Sequence, residues 1–278
     1  MVRRTPPNRV RDVAQAASSV FIEKGYRRAL MTDVGARLGL SHAVLYRYVE
    51  SKEALFELAM TYSMDPDSIS SLQIPLPTPE PGHFLEVLRK WARRSARFPV
   101  LGAALARPES PHIRQEFEEI LDERYAFVSA NRRLLALIER SSLDLPDLHD
   151  LFFRKLRRQD IKRLSDYLDK RMGAGVLRPA SNVDLAARFV MESIAWFAWH
   201  RHADADPPAI DDKHAKIAVR ELLVAAFVPE AALDAAANGV AVVGALVGAS
   251  ALRANEEIIG RDGSTSVAAA NPLVPPPR

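Results

Sequence analysis

The stretch DVGARLGLSHAVLYRYVESKEAL, residues 33–55, decides the fold of this chain. Its apolar residues recur at intervals of three and four, which predicts helices, and Gly39 ends a first short helix that begins near Leu30. Ser41 is of a type that caps helix N-termini, so a second helix is predicted from Ser41 to Val49. Two short helices joined by a glycine turn are typical of a helix-turn-helix, whose later helix enters the major groove of DNA.

Helical patterning continues on both sides of this stretch. Apolar spacing predicts a helix over 8–24 that Gly25 ends, and Ser51 is placed to cap a helix over 52–62. These elements together predict an N-terminal helix-turn-helix domain over residues 8–62.

A proline-rich stretch separates that domain from the rest of the chain. Residues 65–82 contain five prolines, too many for a helix interior, and are predicted to be a linker. Helical spacing then resumes without strand-like alternation, so the predicted fold class is all-α, with a second helical domain over 83–228. Its predicted helices span residues 83–98, 100–106, 110–141, 145–173, 182–203 and 210–227. Residues 229–278 are predicted to form an Ala/Gly-rich helix and a disordered tail.

Composition narrows the possible classes of protein. The chain has 278 residues with 48% hydrophobic and 26% charged side chains, which is ordinary for a soluble globular protein. It contains no cysteine, which excludes disulfide scaffolds, thiolate metal sites and cysteine nucleophiles and suits a reducing cytoplasm. No secretory signal opens the sequence, so a cytoplasmic location is expected, and DNA binding would associate the protein with the nucleoid.

The positive charge is concentrated near the start of the chain. The net charge is +3 overall, whereas residues 1–60 hold ten basic and six acidic residues, a local excess of +4. A local basic excess is what a phosphate-binding module requires, although a solvated basic face would look the same.

The predicted helix over 41–49 has one apolar and one polar side. Leu45 and Val49 share the face that would anchor the helix on its neighbours, since residues four apart lie above one another. The base edges of DNA could be met by the side chains of His42, Ala43 and Val44. Phosphates could be reached by those of Tyr46, Arg47, Tyr48 and Lys52. The alternative is an ordinary amphipathic helix whose two tyrosines pack in a core.

Residues 10–58 resemble the TetR/AcrR family of bacterial transcription regulators. The resemblance is carried by AASSVF (16–21), KGY (24–26), DVGARLGLS (33–41) and LYRYVESKEAL (45–55). It implies that Thr32 approaches DNA and that residues 42–44 read bases. It further implies that Tyr46 and Tyr48 contact the DNA backbone and that Lys52 contacts a phosphate. The predicted DNA-binding residues are Thr32, Ser41, His42, Ala43, Val44, Tyr46, Arg47, Tyr48 and Lys52.

The sequence departs from the family pattern at several positions. Ala29 and Leu30 stand where the family usually has Thr or Ser, which leaves the start of the second helix without its expected hydroxyl cap. Gly35 replaces the more usual alanine, at a cost in helix propensity of roughly 1 kcal/mol. Val44 replaces a frequent threonine and Val49 a frequent phenylalanine. Val44, together with His42, is expected to alter which operator is read.

The resemblance implies that residues 83–228 form a helical ligand-binding and dimerisation domain. Five aromatic residues are candidates for lining a ligand pocket, although for each one taken singly the core is the favoured position. They are Trp91, Phe117, Tyr125, Trp196 and Trp199.

The last two helices are expected to pair with their mates in a homodimer as a four-helix bundle. One candidate stripe consists of Val183, Ala187, Val190, Ile194, Phe197 and Ala198. The other consists of Ile217, Val219, Leu222, Leu223, Ala226 and Phe227. Core packing within one chain would explain much of both stripes.

An enzyme is not expected, because the sequence has neither a phosphate loop nor paired carboxylates at a catalytic spacing. His200 and His202 lie about 200° apart on a helix, so they are not predicted to chelate a metal ion. No cofactor is expected. The sequence thus predicts a sequence-specific DNA-binding transcription regulator, a homodimeric repressor that a small ligand releases from a double-stranded operator.

Two alternatives remain open at the level of sequence. The chain could be a ligand-independent regulator, or a membrane-tethered DNA-binding or interaction protein anchored through residues 231–252. A membrane span needs about 20 strongly apolar residues, and this segment has few large side chains and begins close to Asp234 and Asn238. Membrane association is therefore the less favoured expectation.

Overall fold

The computed structural model describes residues 7–230, and this part of the chain forms helices and no strands, which confirms the all-α prediction. Four helices make up the N-terminal part: α1 (Pro7–Arg28), α2 (Met31–Leu38), α3 (His42–Leu45) and α4 (Lys52–Met64). Seven follow: α5 (His83–Ser95), α6 (Pro99–Ala106), α7 (Ile113–Ser142), α8 (Pro146–His149), α9 (Arg158–Gly173), α10 (Val183–Ala198) and α11 (Asp212–Phe227).

Two of the predicted N-terminal helices have different ends in the structure. Gly25 interrupts α1 where its end was predicted, because its backbone has the non-helical values φ 79° and ψ 168°, and a short helical segment continues beyond this kink as far as Arg28. The helix predicted over 41–49 is a single turn, α3, followed by tighter turns in which the Tyr48 N–H donates to the Leu45 carbonyl at 2.9 Å. The helix α3 is therefore only about half as long as the helix that apolar spacing predicted over 41–49.

The N-terminal helices share one apolar core with part of the long helix α7. Val13, Phe21, Leu45 and Leu55 are buried in it, and Leu137 of α7 packs among them. Burying side chains of this size stabilises the fold by about 1.5–3 kcal/mol each, so the helix-turn-helix is fixed on α7.

The predicted linker over 65–82 packs against the N-terminal core. It contains a short 3₁₀ helix, Ser68–Ser71, and Ile69 of that helix is buried. Leu76 pairs with Val49 in an isolated parallel bridge, where its N–H donates to the Tyr48 carbonyl at 2.8 Å. Residues 65–82 thus bind to the segment that follows α3 and pack on the N-terminal core, so they are not a flexible linker.

The helix predicted over 145–173 is continuous but changes its winding. Between α8 and α9, residues Asp150–Arg157 form a π-helix. π-helices are rare in proteins, and those that occur are often found at functional sites. This π segment faces two ways, because Leu151 packs in the N-terminal core whereas Phe152 and Phe153 line a cavity described below.

The stripes predicted for dimerisation on α10 and α11 are largely internal to one chain. Ala187, Val190 and Ile194 are buried against neighbouring helices, as are Val219 and Leu223. The large apolar residues exposed on the same two helices are Leu222 of α11, which belongs to its predicted stripe, and Leu185, Phe189 and Trp196 of α10, which do not. Periodicity identified the apolar face of each helix but not which apolar residues the chain leaves uncovered.

The helices described in residues 7–230 include none that is long and apolar enough to cross a membrane. The stretch weighed as a membrane anchor, 231–252, lies outside the described residues, as does most of the predicted tail over 229–278.

Candidate nucleic-acid interface and internal cavity

The surface formed by the start of α2 and by α3 exposes most of the residues predicted to contact DNA. Thr32, Ser41, His42, Ala43, Tyr46 and Arg47 are exposed, and Val44 is half-buried. Leu45 and Val49 are completely buried beneath them, which confirms their predicted role as anchors. The arrangement presents short polar, aromatic and cationic groups on a rigid apolar base.

The turn between α2 and α3 explains the unusual glycine at position 35. Gly39 ends α2 in the left-handed conformation, with φ 64°, and the Leu40 N–H donates to the Gly35 carbonyl at 2.9 Å. A Cβ atom at position 35 would lie 2.7 Å from the Leu40 carbonyl oxygen, closer than real Cβ contacts. Gly35 is therefore required by the close approach of the turn, and the helix-propensity cost read from the sequence is not a defect.

The start of α2 is capped without a hydroxyl. Leu30 occupies the N-cap position with 57% of its surface exposed, and its N–H donates to the Asp33 carboxylate at 2.9 Å. The ammonium of Lys24 donates to the other Asp33 oxygen at 2.6 Å. The Lys24 hydrogen bond, followed by that from Leu30, lowers the pKa of Asp33 below its usual value. Asp33 thus satisfies the Leu30 N–H, while its own N–H, which a hydroxyl at position 30 would accept, donates to the Leu30 carbonyl at 3.1 Å.

Ser41 and His42 differ in how well the structure matches their predicted roles. Ser41 occupies the N-cap position of α3, but its hydroxyl accepts no capping hydrogen bond, so the predicted side-chain cap is wrong. Ser51, by contrast, accepts the Ala54 N–H at 3.1 Å and caps α4 as predicted. The His42 ring packs edge-on against Tyr46, with ring centres 5.0 Å apart, which holds both side chains on the exposed side.

Tyr48 is placed differently from its prediction. Only 7% of its surface is exposed, and the residue belongs to the apolar core. Its carbonyl accepts the Leu76 N–H, while the Glu50 N–H donates back to the Leu76 carbonyl at 2.9 Å. The alternative reading from sequence, a tyrosine packed in the core, is the one that applies to Tyr48, while Tyr46 remains exposed.

Lys52 ties the start of α4 to the end of α1. Its ammonium donates to the Arg27 carbonyl at 3.0 Å and lies 4.9 Å from the centre of the Tyr26 ring. The Tyr26 hydroxyl donates to Glu53 at 3.0 Å, and burial, followed by the Glu53 charge, raises the pKa of Tyr26 to about 12. Burial lowers the pKa of Lys52. An ammonium has three donors, so this packing leaves donors of Lys52 for a phosphate.

A cavity of about 370 Å³ lies within the C-terminal helices. Its walls come from α5, α7, the π segment, α9 and α10. Of the five aromatic residues predicted to line a pocket, Trp91 and Trp199 do so. Its volume lies in the range of about 300–1,000 Å³ that is typical of small-molecule sites.

The other three predicted pocket residues lie elsewhere. Phe117 is fully buried and stacks on Tyr167 in the core. Tyr125 is buried, and its hydroxyl donates to the Phe197 carbonyl at 3.3 Å. Trp196 lies exposed on α10, away from the cavity wall. These residues are structural or superficial, so their assignment to the pocket was wrong.

The sequence reasoning overlooked Arg124, which lines the cavity from α7 with only 1% of its surface exposed. It donates to the carboxylate of Asp160 on α9. A signal was present in the sequence, because Arg124 follows Phe117, Ile120 and Leu121 at helical spacing. That spacing places a charged residue on the buried face of α7.

The helix α7 connects the cavity to the helix-turn-helix. Its residues Phe127, Leu135 and Glu139 line the cavity. Between them, Arg133 donates to the hydroxyls of Ser18 and Ser19 of α1, at 2.9 and 2.8 Å. A displacement of α7 would therefore act directly on the first helix of the N-terminal part.

Two family models match the chain, one near its N-terminus and one in its C-terminal helices. Residues 13–59 match the family described as bacterial regulatory proteins of the tetR family. Residues 120–227 match the C-terminal domain of AefR-like transcriptional repressors. No curated protein matches the sequence.

Solved structures of similar fold were also found. One is the ketosteroid transcriptional regulator KstR2 of Mycobacterium tuberculosis, with 15% identity and a TM-score of 0.52, covering 82% of this chain and 100% of that one. Another is PfmR, a TetR family transcriptional regulator of Thermus thermophilus, with 19% identity and a TM-score of 0.46, covering 80% and 96%. At this identity, the likeness to KstR2 concerns the fold alone.

Proposed function

The chain belongs to the TetR family of bacterial regulatory proteins, and from this premise we propose that it is a homodimeric, cytoplasmic repressor released from its operator by a small ligand. One observation carries the proposal. The α2–α3 surface exposes Thr32, His42, Ala43, Tyr46 and Arg47 above a completely buried apolar base.

The proposed division of labour on DNA follows from side-chain chemistry. Ala43 and Val44 suit contact with thymine methyl groups, and His42 can donate to a base edge. The Tyr46 hydroxyl, the Arg47 guanidinium and the Ser41 hydroxyl suit phosphates, as does Thr32 at the start of α2. Such contacts fix the register of the protein but carry no sequence information themselves.

Lys52 belongs to the proposed interface and Tyr48 does not. The ammonium of Lys52 uses one of its donors on Arg27, and the N-terminus of α4 adds a favourable dipole for a phosphate nearby. Tyr48 does not reach DNA in this proposal, because its ring lies in the core. Removing Tyr48 would therefore alter folding before it altered any contact with DNA.

The exposed apolar residues of α10 and α11 support association with a second copy. Phe189 is 57% and Leu222 is 64% exposed, and Leu185 and Trp196 lie on α10 beside them. Exposed aromatic and aliphatic side chains on adjacent helices mark an interaction surface more often than a solvated one. Two such helix pairs would form a four-helix bundle about a two-fold axis.

The cavity and its contacts support release by a ligand. A ligand can shift a protein between two conformations only through its different affinities for them. The cavity wall includes α7 and the π segment, and both also pack against the helix-turn-helix. Movement of these walls on binding would change the separation of the two reading surfaces, which must match successive major grooves.

Selection of bound sequences from a library of random duplexes tests the proposed function. The expected product is an inverted repeat whose half-sites lie one helical turn, or a multiple of it, apart. The double variant Phe189→Asp, Trp196→Asp, which breaks the proposed α10 contact, should sediment as a monomer and bind the selected duplex more weakly. Failure to enrich any sequence would contradict the proposal of sequence-specific binding, and an enriched single half-site would contradict the dimer.

A further inference from the structure

Arg124 is a buried charge with unused hydrogen-bonding capacity. Its Nη1 donates to Asp160, whereas its Nε and Nη2 are buried and have no hydrogen-bond partner in the described part of the chain. A buried donor without an acceptor costs roughly 1–3 kcal/mol, more for a charged group, so such a group requires an explanation.

Two other buried arginines of the same fold provide the comparison. All three side-chain nitrogens of Arg171 donate, to both carboxylate oxygens of Glu116 and to backbone carbonyls, among them that of Ala104 at 2.9 Å. Arg201 likewise donates from each nitrogen, to Asp212 and to two backbone carbonyls. The fold thus satisfies buried guanidinium groups where they serve the fold alone, and Arg124 departs from that pattern.

Phe98 fixes the orientation of the Arg124 guanidinium. The ring centre of Phe98 lies 3.5 Å from Arg124 Cζ, so the ring covers the guanidinium plane. Phe98 adopts this position with φ 48°, a left-handed conformation that is strained for a bulky residue. Strained residues cluster at ligand sites, where the surrounding structure enforces them. Because the Phe98 ring covers the guanidinium plane, an acceptor can bind only at the guanidinium edge, where Nε and Nη2 have no partner in the described residues.

The cavity around Arg124 is aromatic and carries a positive balance of charge. Its apolar wall includes Trp91, Phe127, Phe152 and Trp199. Its charged lining residues are Arg93, Arg124, Arg157, Arg163 and Arg188 against Glu139, Asp160 and Glu192. Five guanidinium groups against three carboxylates favour an anion, and the aromatic wall favours an apolar body.

We propose that the cavity binds an organic acid, whose carboxylate pairs with Nε and Nη2 of Arg124 and whose apolar body packs among the aromatic side chains. The two nitrogens form the edge that matches the two oxygens of a carboxylate, which is the strongest arrangement an arginine offers. Because both nitrogens are buried, an acid reaches them only when side chains of the wall shift. This inference rests on the proposed ligand-responsive function, since it names the class of that ligand.

Calorimetric titration of the full-length protein tests the inference with matched pairs of probes. The probes are octanoate with octanamide and 2-naphthoate with 2-naphthamide, which differ only in the charged end. At least one acid should bind at least about tenfold more tightly than its amide. Equal affinities within both pairs, or no binding of either acid at millimolar concentration, would overturn the inference.

Variants locate the contact within the cavity. Arg124→Lys keeps the positive charge but loses the paired edge, so it should weaken binding of the preferred acid at least about tenfold and leave its amide unchanged. Arg89→Gln, which removes an exposed arginine of α5 that does not line the cavity, is the matched control and should have little effect. Equal weakening by both variants would overturn the assignment to Arg124. The comparison of acid with amide in the unaltered protein remains decisive if Arg124→Lys does not fold.

Binding to the selected duplex, measured in parallel, separates this inference from the proposed function. If the protein binds its operator but does not distinguish acids from amides, the ligand class is wrong while DNA binding stands. If it prefers the acid through Arg124 but the acid leaves DNA affinity unchanged, the inference stands and the proposed release is wrong.

Discussion

The two halves of the molecule treat polar side chains in opposite ways. Between residues 9 and 64 the buried side chains are apolar or aromatic, apart from that of Ser18, and most of the groups proposed to act on DNA stand exposed on an apolar base. The C-terminal helices instead bury Arg124, Arg171 and Arg201. A buried charge is expensive unless it is paired, so each must have a partner in the chain or a use outside it.

This difference separates two ways of recognising a functional residue. On the helix-turn-helix, the residues proposed to be functional are the exposed ones that the core does not bury, and the local sequence is enough to indicate them. In the C-terminal helices, a functional residue is distinguished by which hydrogen bonds the fold leaves unmade. Arg171 has every nitrogen engaged and Arg124 has two without partners, although both are almost completely buried.

The same substitution at these two arginines should give the largest contrast in stability. Arg171→Met leaves the carboxylate of Glu116 buried without its partner and should cost about 3–5 kcal/mol in the free energy of unfolding. Arg124→Met removes two unpaired donors and leaves only Asp160, which is partly exposed, so its cost should be below about 1 kcal/mol. Urea unfolding of both variants measures this, and equal costs would break the distinction between a structural and a ligand-binding arginine.

Gly35 offers a sharp test of the helix-turn-helix geometry. Gly35→Ala gains helix propensity of about 1 kcal/mol, but its Cβ would lie 2.7 Å from the Leu40 carbonyl oxygen. The cost of relieving that contact should exceed the gain, so the free energy of unfolding should fall by about 1–2 kcal/mol, and DNA binding should weaken. The control is Gly173→Ala at the end of α9, where nothing lies within 4 Å of the new Cβ, and it should be neutral or slightly stabilising. A stabilised Gly35→Ala would refute the close approach.

The hydrogen bond from the Leu30 N–H to Asp33 should contribute less to the free energy of unfolding. Asp33→Ala removes the acceptor for the Leu30 N–H and the partner of Lys24, and should cost about 1 kcal/mol. Adding Leu30→Ser should recover most of that loss, because position 30 has the extended conformation of an N-cap and the side chain of Leu30 is exposed. Thermal unfolding of the single and double variants checks this, and a double variant no better than Asp33→Ala would show that position 30 cannot act as a cap.

The smallest expected effect lies where the two halves meet. The Nδ1 of His83, at the start of α5, is 2.9 Å from Glu57 of α4, and this hydrogen bond raises the pKa of His83 above 6.5. The contact therefore stabilises the fold fully below pH 6.5, and its contribution disappears as the pH rises through the raised pKa.

Because His83 is partly exposed, the contribution should be small. The difference in unfolding free energy between the unaltered protein and His83→Gln should be larger at pH 5.5 than at pH 8.5. A difference that stays constant or grows with pH would contradict this assignment.

What could be predicted from the sequence was mostly local. The glycine that ends α2, the Ser51 cap and the buried pair Leu45 and Val49 follow from residue type and helical spacing, and the structure confirms them. The all-α class follows from the same spacing repeated along the chain.

The features missed by the sequence reasoning depend on contacts between distant parts of the chain. Tyr48 is buried in a core against which Leu72, Ile74 and Leu76 also pack, and no local pattern reveals this contribution from a later part of the chain. The requirement for Gly35 depends on the path of the turn at Leu40. The guanidinium of Arg124 is positioned by contacts with Phe98 and Asp160, which lie 26 and 36 positions away along the chain.

The most direct test of DNA binding by the α2–α3 surface is the salt dependence of affinity for the selected duplex. Arg47→Ala should weaken binding to operator and random duplexes alike and reduce the slope of log affinity against log salt by about one. Lys213→Ala, which removes an equal charge from an exposed position on α11, should leave both quantities unchanged. An unchanged affinity and slope for Arg47→Ala, or an equal loss for Lys213→Ala, would contradict the account.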